Sequence, residues 1–364
     1  MKNSTLLCVT TASVVLMGAA VDLPAQSTNL TPSPADYAAA AAVTNVTRHA
    51  LPVNPDVGQV ATVMDLSAAP GGRAASTADS AAPDSGGPRF PGDLQYHGGA
   101  VVVSMESHAI YLYAKGGTCT TIAGCWGNPE GFLRDLGKSD MIHILDQYTG
   151  TTANNRYTVA EEPTSVKYTP PANPFTDADM VALVHAVVVS VADDDHPSQT
   201  GYGHEYHIFL PPGQDECFDS TFSVCYSPDN LPTFVFCAYH GSMDFTDIGH
   251  VLYSVEPFQN VRGCRSRPGS PNGQLVDSTN NVLSHETFET ITDPDGTAWW
   301  NSLNNGLFGE EIGDECSFLI RLLNPNPPPP TRVYFDPSNV TLNGRPYAIQ
   351  PEYNNADHAC TTTP

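Results

Sequence analysis

SHETFETITDPDGTAWW, Ser284 to Trp300, is the stretch on which the reading of this chain turns. With the residues before it, it predicts a helix from about Gln274 to Thr292. DPDG, Asp293 to Gly296, ends that helix and can fold carboxylates back toward it. On the helix His285 and Glu289 are four residues apart, so both side chains leave one face, one turn above the other. Trp299 and Trp300 are expected in the core, since tryptophan is heavily buried on average.

Upstream, YHIFLPPG (Tyr206 to Gly213), TFVFCAYHG (Thr233 to Gly241) and HVLYSVEPF (His250 to Phe258) read as strands. GGAVVVSMESHAIYLYA (Gly98 to Ala114) offers Val101, Val103, Ile110 and Leu112 to a buried strand pair. TDADMVALVHAVVVSVA (Thr176 to Ala192) is a helix capped by Thr176, with Asp177 and Asp179 in its first turn and His185 a packed or surface residue. NPEGFLRDLGKSDMIHILDQY (Asn128 to Tyr148) reads as two short helices, the second capped by Ser139. Strands and helices that mix without strict alternation predict one α+β (mixed α/β) domain over residues 93–364, long enough for a single large core.

Before it, residues 26–92 are rich in Ala, Pro, Ser, Thr and Gly and nearly free of aromatics. Such a stretch buries too little apolar surface to offset chain entropy, which predicts a disordered spacer or pro-region; ADYAAAAAV (Ala35 to Val43) could form one short helix. Residues 1–25 read as a secretory signal: Lys2, an apolar run from Leu6 to about Ala20, then small residues for cleavage. That run is too short and too interrupted by Ser and Thr for a membrane span, and no later segment qualifies.

Nine cysteines less Cys8 leave eight beyond the signal, and an even number in an exported chain predicts disulfides. Short loops favour Cys119–Cys125 and Cys217–Cys225, and Cys237–Cys264 with Cys316–Cys360 is the simplest remainder. The net charge is −24, from 39 acidic against 15 basic residues, with no basic cluster to neutralise phosphates. Nucleic acid is excluded as a partner.

His285 with Glu289 repeats the spacing by which an HExxH helix presents two zinc ligands, the second here a carboxylate. Glu286, next to the first ligand, is placed to act as general base on a metal-activated water. The third ligand is expected from Asp293 or from Asp314 in GEEIGDEC (Gly309 to Cys316), which also supplies Glu310 and Glu311. His240 is the best remote imidazole. Zinc is the expected ion, and calcium competes for the same carboxylates, although DPDGT is only a fragment of a calcium loop. The competing expectation is a solvated acidic helix. His204 and His207 in GHEYH, three apart before a strand, face opposite ways and suit a rim or surface role. DDDH, 193–196, reads as a polar loop, and GxSxG and phosphate-binding glycine loops are absent.

YHGG (Tyr96 to Gly99), CAYHG (Cys237 to Gly241), SHETFETITDPDGTAW, GEEIGDEC and NGRPYAIQPEYNNADHAC (Asn343 to Cys360) together resemble the secreted EXORDIUM/phosphate-induced-protein-1 family in its bacterial form, over about Leu94 to Cys360. The resemblance implies an extracellular or cell-wall-associated protein of a family known in plants from growth and nutrient responses, without an established catalytic activity. The HE-containing helix is also similar to a zincin active-site helix. It departs from one at Glu289, where a zincin has His, and in lacking a downstream GxxH. The resulting expectation is a secreted, zincin-like metal-binding protein, a hydrolase acting on peptide bonds. The alternative is a non-enzymatic extracellular or cell-wall module with a structural ion.

Overall fold

Residues along a strand alternate between two faces, and in this protein each face of one mixed sheet is covered. The computed structural model describes residues 27–28, 30–53, 93–113, 118–161, 164–168, 170, 172–191, 199–301, 311–317 and 338–364. The expected signal segment, DDDH and Glu310 lie outside these residues.

The central sheet has eight strands: β1 (Ser27–Thr28), β2 (His49–Pro52), β3 (Met105–Tyr113), β4 (Tyr157–Val159), β5 (Thr164–Lys167), β6 (His204–Phe209), β7 (Phe236–Phe245) and β8 (Gly249–Glu256). Their order is β1-β5-β3-β6-β8-β7-β2, with β4 also pairing with β3. Pairings from β1 to β8 are parallel; β7 runs antiparallel to both β8 and β2. With its helices this makes the fold α+β. The expected strand pair over Gly98 to Ala114 is a single strand, β3, whose partners come from elsewhere in the chain.

Four helices matter to the architecture: α1 (Pro34–Ala41), α2 (Pro129–Leu136), α3 (Asp177–Val191) and α4 (Gln274–Thr292). Thr176 caps α3 as expected: its hydroxyl accepts from Asp179 N at 3.3 Å, and Asp179 Oδ2 accepts from Thr176 N at 3.2 Å. Ser139 makes no side-chain cap; its hydroxyl donates to Leu136 O at 2.7 Å. On one face of the sheet α3 buries Val181, Leu183, Val184 and Val187 against Ile110, Leu112 and Ile208. On the other, α4 buries Leu283, Phe288 and Ile291 against Tyr111, Phe209 and Leu252. Each such side chain contributes roughly 1.5–3 kcal/mol on leaving water.

The expectation of a disordered spacer fails for residues 30–53. Helix α1 packs on α3, and Tyr37 donates to Asp179 Oδ1 at 2.8 Å. Strand β2 closes the sheet edge against β7, with Ala50, Leu51 and Val53 in the core. The composition around this short strand hides it, because four residues carry little period of their own. Residues 54–92 lie outside the described set.

The cysteines pair as Cys119–Cys125, Cys217–Cys225, Cys237–Cys264 and Cys316–Cys360. No helix among the described residues is long and apolar enough to cross a membrane. Trp299 and Trp300 are half-buried rather than core residues, on a two-residue strand paired with Gln95–Tyr96. His97 stacks on Trp300 at 3.4 Å between ring centroids.

Candidate metal centre

Strand alternation lays a polar floor beneath α4. Register pairs His207 with Ser254 and Ser254 with His240, so these three share a face. Two residues along their strands, Glu205, Glu256 and Ser242 join them. Thr290 of α4 reaches down to Glu205 Oε1 at 2.7 Å. Strand β2 adds His49, opposite His240 and stacked on it with ring centroids 5.5 Å apart.

The roof is α4, and it is unusual in being polar yet buried from Asp277 to Thr292. Its hydroxyls make that tolerable: Thr287 donates to Leu283 O at 2.7 Å and Thr292 to Phe288 O at 3.0 Å, each bonding back one turn. The expectation of a solvated acidic helix is therefore wrong for this segment. Residues 311–317 form a side wall carrying Glu311, Gly313 and Asp314. Tyr353 N donates to Ile312 O at 3.1 Å and the Cys316–Cys360 bond ties the wall to the C-terminal strands, which bring Glu352. At Gly313 the wall packs directly on the roof, and next to it Asp314 N donates to Glu289 Oε1 at 3.1 Å. A Cβ on Gly313 would lie 2.4 Å from His285 Nδ1 and 3.0 Å from Glu289 Oε1, so only glycine fits.

His285 Nε2 lies 3.0 Å from Glu289 Oε1 and 3.7 Å from Asp314 Oδ1. His240 Nδ1 lies 3.4 Å from Glu286 Oε2 and 3.5 Å from Glu289 Oε2, and its Nε2 lies 3.7 Å from Glu311 Oε1. His49 Nδ1 approaches Glu311 Oε2 at 3.0 Å. None of His240, His285, Glu286, Glu289, Glu311 and Asp314 is more than 2 % exposed. Neither oxygen of Glu286 has a hydrogen-bond partner, nor has Nδ1 of His240. Among the described residues, the ion-pair partners of Glu205, Glu286, Glu289 and Glu311 are histidines, with no Lys or Arg.

Charge in so dry a space is costly unless compensated. Burial, reinforced by neighbouring carboxylates with Glu289 foremost, pushes Glu286 and Glu311 well above the usual carboxylate range. Burial and Glu289 do the same to Glu352, and burial lifts Glu256 to about 8. Glu289 goes the other way: burial opposes its charge, but His285 and His240 outweigh it. His285 is correspondingly held above the ordinary imidazole value, Glu289 and Asp314 overcoming its burial. One carboxylate favoured as an anion between two imidazoles, ringed by carboxyls whose charge burial disfavours, is the electrostatic character of the site.

The residue types and separations fit a divalent cation. With ligand bonds of about 2.0–2.2 Å, donors in a tetrahedral shell stand about 3.3–3.6 Å apart, and the imidazole–carboxylate separations here run from 3.0 to 3.7 Å. His285, Glu286 and Glu289 each place one donor atom within 4.8 Å of the others, as do His240, Glu289 and Glu311.

Of the residues singled out from sequence, His285, Glu286, Glu289 and Asp314 come together, with His240 and Glu311 beside them. Asp293 is placed differently. It caps the end of α4, its Oδ1 accepting from Thr297 N at 2.5 Å and Ala298 N at 2.6 Å, and its main-chain oxygen lies 3.4 Å from His240 Nε2. Its carboxyl, raised to about 7 by burial against those two N–H bonds, borders Glu311 rather than His285. Sequence reasoning missed His49, Glu205, His207, Glu256 and Glu352. For one pair a signal existed: in GHEYH, Glu205 and His207 are two apart and share a strand face, with His207 Nε2 3.6 Å from Glu205 Oε2. His207 is wholly buried, not a rim residue. His204 turns to the opposite face and meets His108 at 3.0 Å.

The chain matches no protein-family model, no curated protein and no solved structure.

Proposed function

We propose that this is an exported metalloprotein holding a divalent cation, zinc before calcium, between His285, Glu289 and Asp314, and that Glu286 makes the centre hydrolytic toward peptide bonds. The observation carrying this reading is that His285 Nε2 meets Glu289 Oε1 at 3.0 Å and Asp314 Oδ1 at 3.7 Å inside a buried cluster of carboxylates whose ion-pair partners among the described residues are histidines. Imidazole donors suit zinc better than calcium, which wants six or more oxygens. Asp293 serves from outside as the cap that positions the end of α4. Export is supported by the leading apolar segment and four disulfides, a combination suited to an oxidising compartment. The motifs shared with the EXORDIUM/phosphate-induced-protein-1 family favour an extracellular or cell-wall setting, and the HExxE helix a zincin-like ancestry.

A bound cation would supply Lewis acidity and lower the pKa of water. Glu286, with neither oxygen hydrogen-bonded, is free to take a proton from attacking water and return it to the leaving amine.

A second reading, a structural ion in a non-enzymatic cell-wall or matrix-binding module, is favoured by the complete burial of the donors. Metal analysis of purified protein, followed by Glu286→Gln, separates the two. The hydrolytic reading expects the variant to keep its metal and lose peptide cleavage. Wild-type protein that holds metal yet cleaves no peptide supports the structural ion, and protein that takes up no zinc, calcium or manganese ends both.

A further inference from the structure

We propose that the centre is built for two cations bridged by Glu289, the second held by His240 and Glu311; this rests on the metal-binding reading above. The two oxygens of Glu289 serve different imidazoles, Oε1 facing His285 Nε2 at 3.0 Å and Oε2 facing His240 Nδ1 at 3.5 Å. A carboxylate serving one ion needs no second imidazole on its far oxygen. The donor triad His240–Glu289–Glu311 meets the first ion's residues, His285 and Asp314, only through Glu289.

His240 supplies the independent sign. It is fully buried, and Nδ1 faces Glu289 Oε2 at 3.5 Å with no hydrogen-bond partner, a separation longer than a good hydrogen bond but right for two ligands of one ion. Glu311 offers a third donor within 4.8 Å of the others, and His49 Nδ1 lies 3.0 Å from its Oε2, as an outer group orients a ligating carboxylate, while His240 Nε2 on the far side lies 3.4 Å from Asp293 O. Paired ions about 3.5–4 Å apart are an established arrangement in hydrolytic sites.

The test is stoichiometry on the full chain, stripped with chelator and titrated with Zn²⁺. Two ions per chain are expected for the wild type and one for His240→Ala and for Glu311→Gln. Mn²⁺ at two equivalents should give the electron paramagnetic resonance spectrum of an exchange-coupled pair, a measurement that needs no variant and so stands if the variants fail to fold. Saturation at one ion, or two ions with only isolated-ion spectra, overturns the bridge while leaving the single-ion function standing. Uptake of none removes both.

Discussion

Gly313 sits against His285 so closely that a methyl group on it would stand 2.4 Å from the ring Nδ1. That contact sets how near the 311–317 wall comes to helix α4, and so how near Asp314 comes to the imidazole. Gly313→Ala should push wall and roof apart. We expect a loss of about 1–3 kcal/mol of stability, as for an overpacked core, and weaker Zn²⁺ binding, read by thermal unfolding and metal titration. An alanine variant equal to wild type in both would contradict the close packing.

Away from the centre, Glu216 is wholly buried and accepts a hydrogen bond from Tyr239. Burial dominates the Tyr239 bond and the nearby Arg48, and lifts its pKa to about 8. The folded protein therefore holds this proton more tightly than the unfolded chain. The stabilisation is complete below the unfolded value of 4.5 and is lost as pH rises toward about 8. Glu216→Gln, which cannot titrate, should flatten the fall in melting temperature between about pH 5 and pH 8. An unchanged slope would assign the pH dependence to other groups.

Arg48 tests whether the N-terminal segment belongs to the fold. Nearly buried, it pairs with Asp177 at the start of α3 and lies over the Phe218 ring, 5.6 Å from its centroid. Arg48→Met leaves Asp177 without that charge partner, and removing one member of a buried pair costs about 3–5 kcal/mol. Chemical denaturation should show a lowered midpoint; wild-type stability would mean that residues 30–53 are only loosely attached.

The Cys316–Cys360 bond closes a 44-residue separation and anchors the wall that carries Asp314. Replacing both cysteines with serine should cost about 2–5 kcal/mol and reduce Zn²⁺ affinity more than the same change at Cys119–Cys125, a bond that does not anchor residues 311–317. Equal effects of the two double variants on affinity would deny the bond a role in positioning Asp314.

Much of this was legible in sequence wherever the relevant spacing is local. Helix α4 has the expected bounds, and its four-residue period placed His285 and Glu289 together without further information. Glu311 and Asp314 were visible as an acidic group, and even cysteine arithmetic with short loops led to the observed pairs. The failures are equally specific. Helix α4 is polar enough to read as solvated, and only its place between sheet and wall makes it buried. In GHEYH the informative pair was Glu205 with His207, because a strand repeats every two residues. Asp293 looked like a ligand from its distance along the chain, yet the N–H groups of Thr297 and Ala298 claim one of its oxygens.

What the sequence alone determined, then, is the set of local elements and the one-turn pairing of an imidazole with a carboxylate, since helix geometry follows from covalent structure and spacing. The tertiary structure decided which distant groups complete the centre: His240 from β7, His49 from β2 and Glu352 from the C-terminal strands. Strand order and register place those residues, and both depend on contacts between distant segments, such as His240 with His49, 191 residues apart, which no local periodicity encodes.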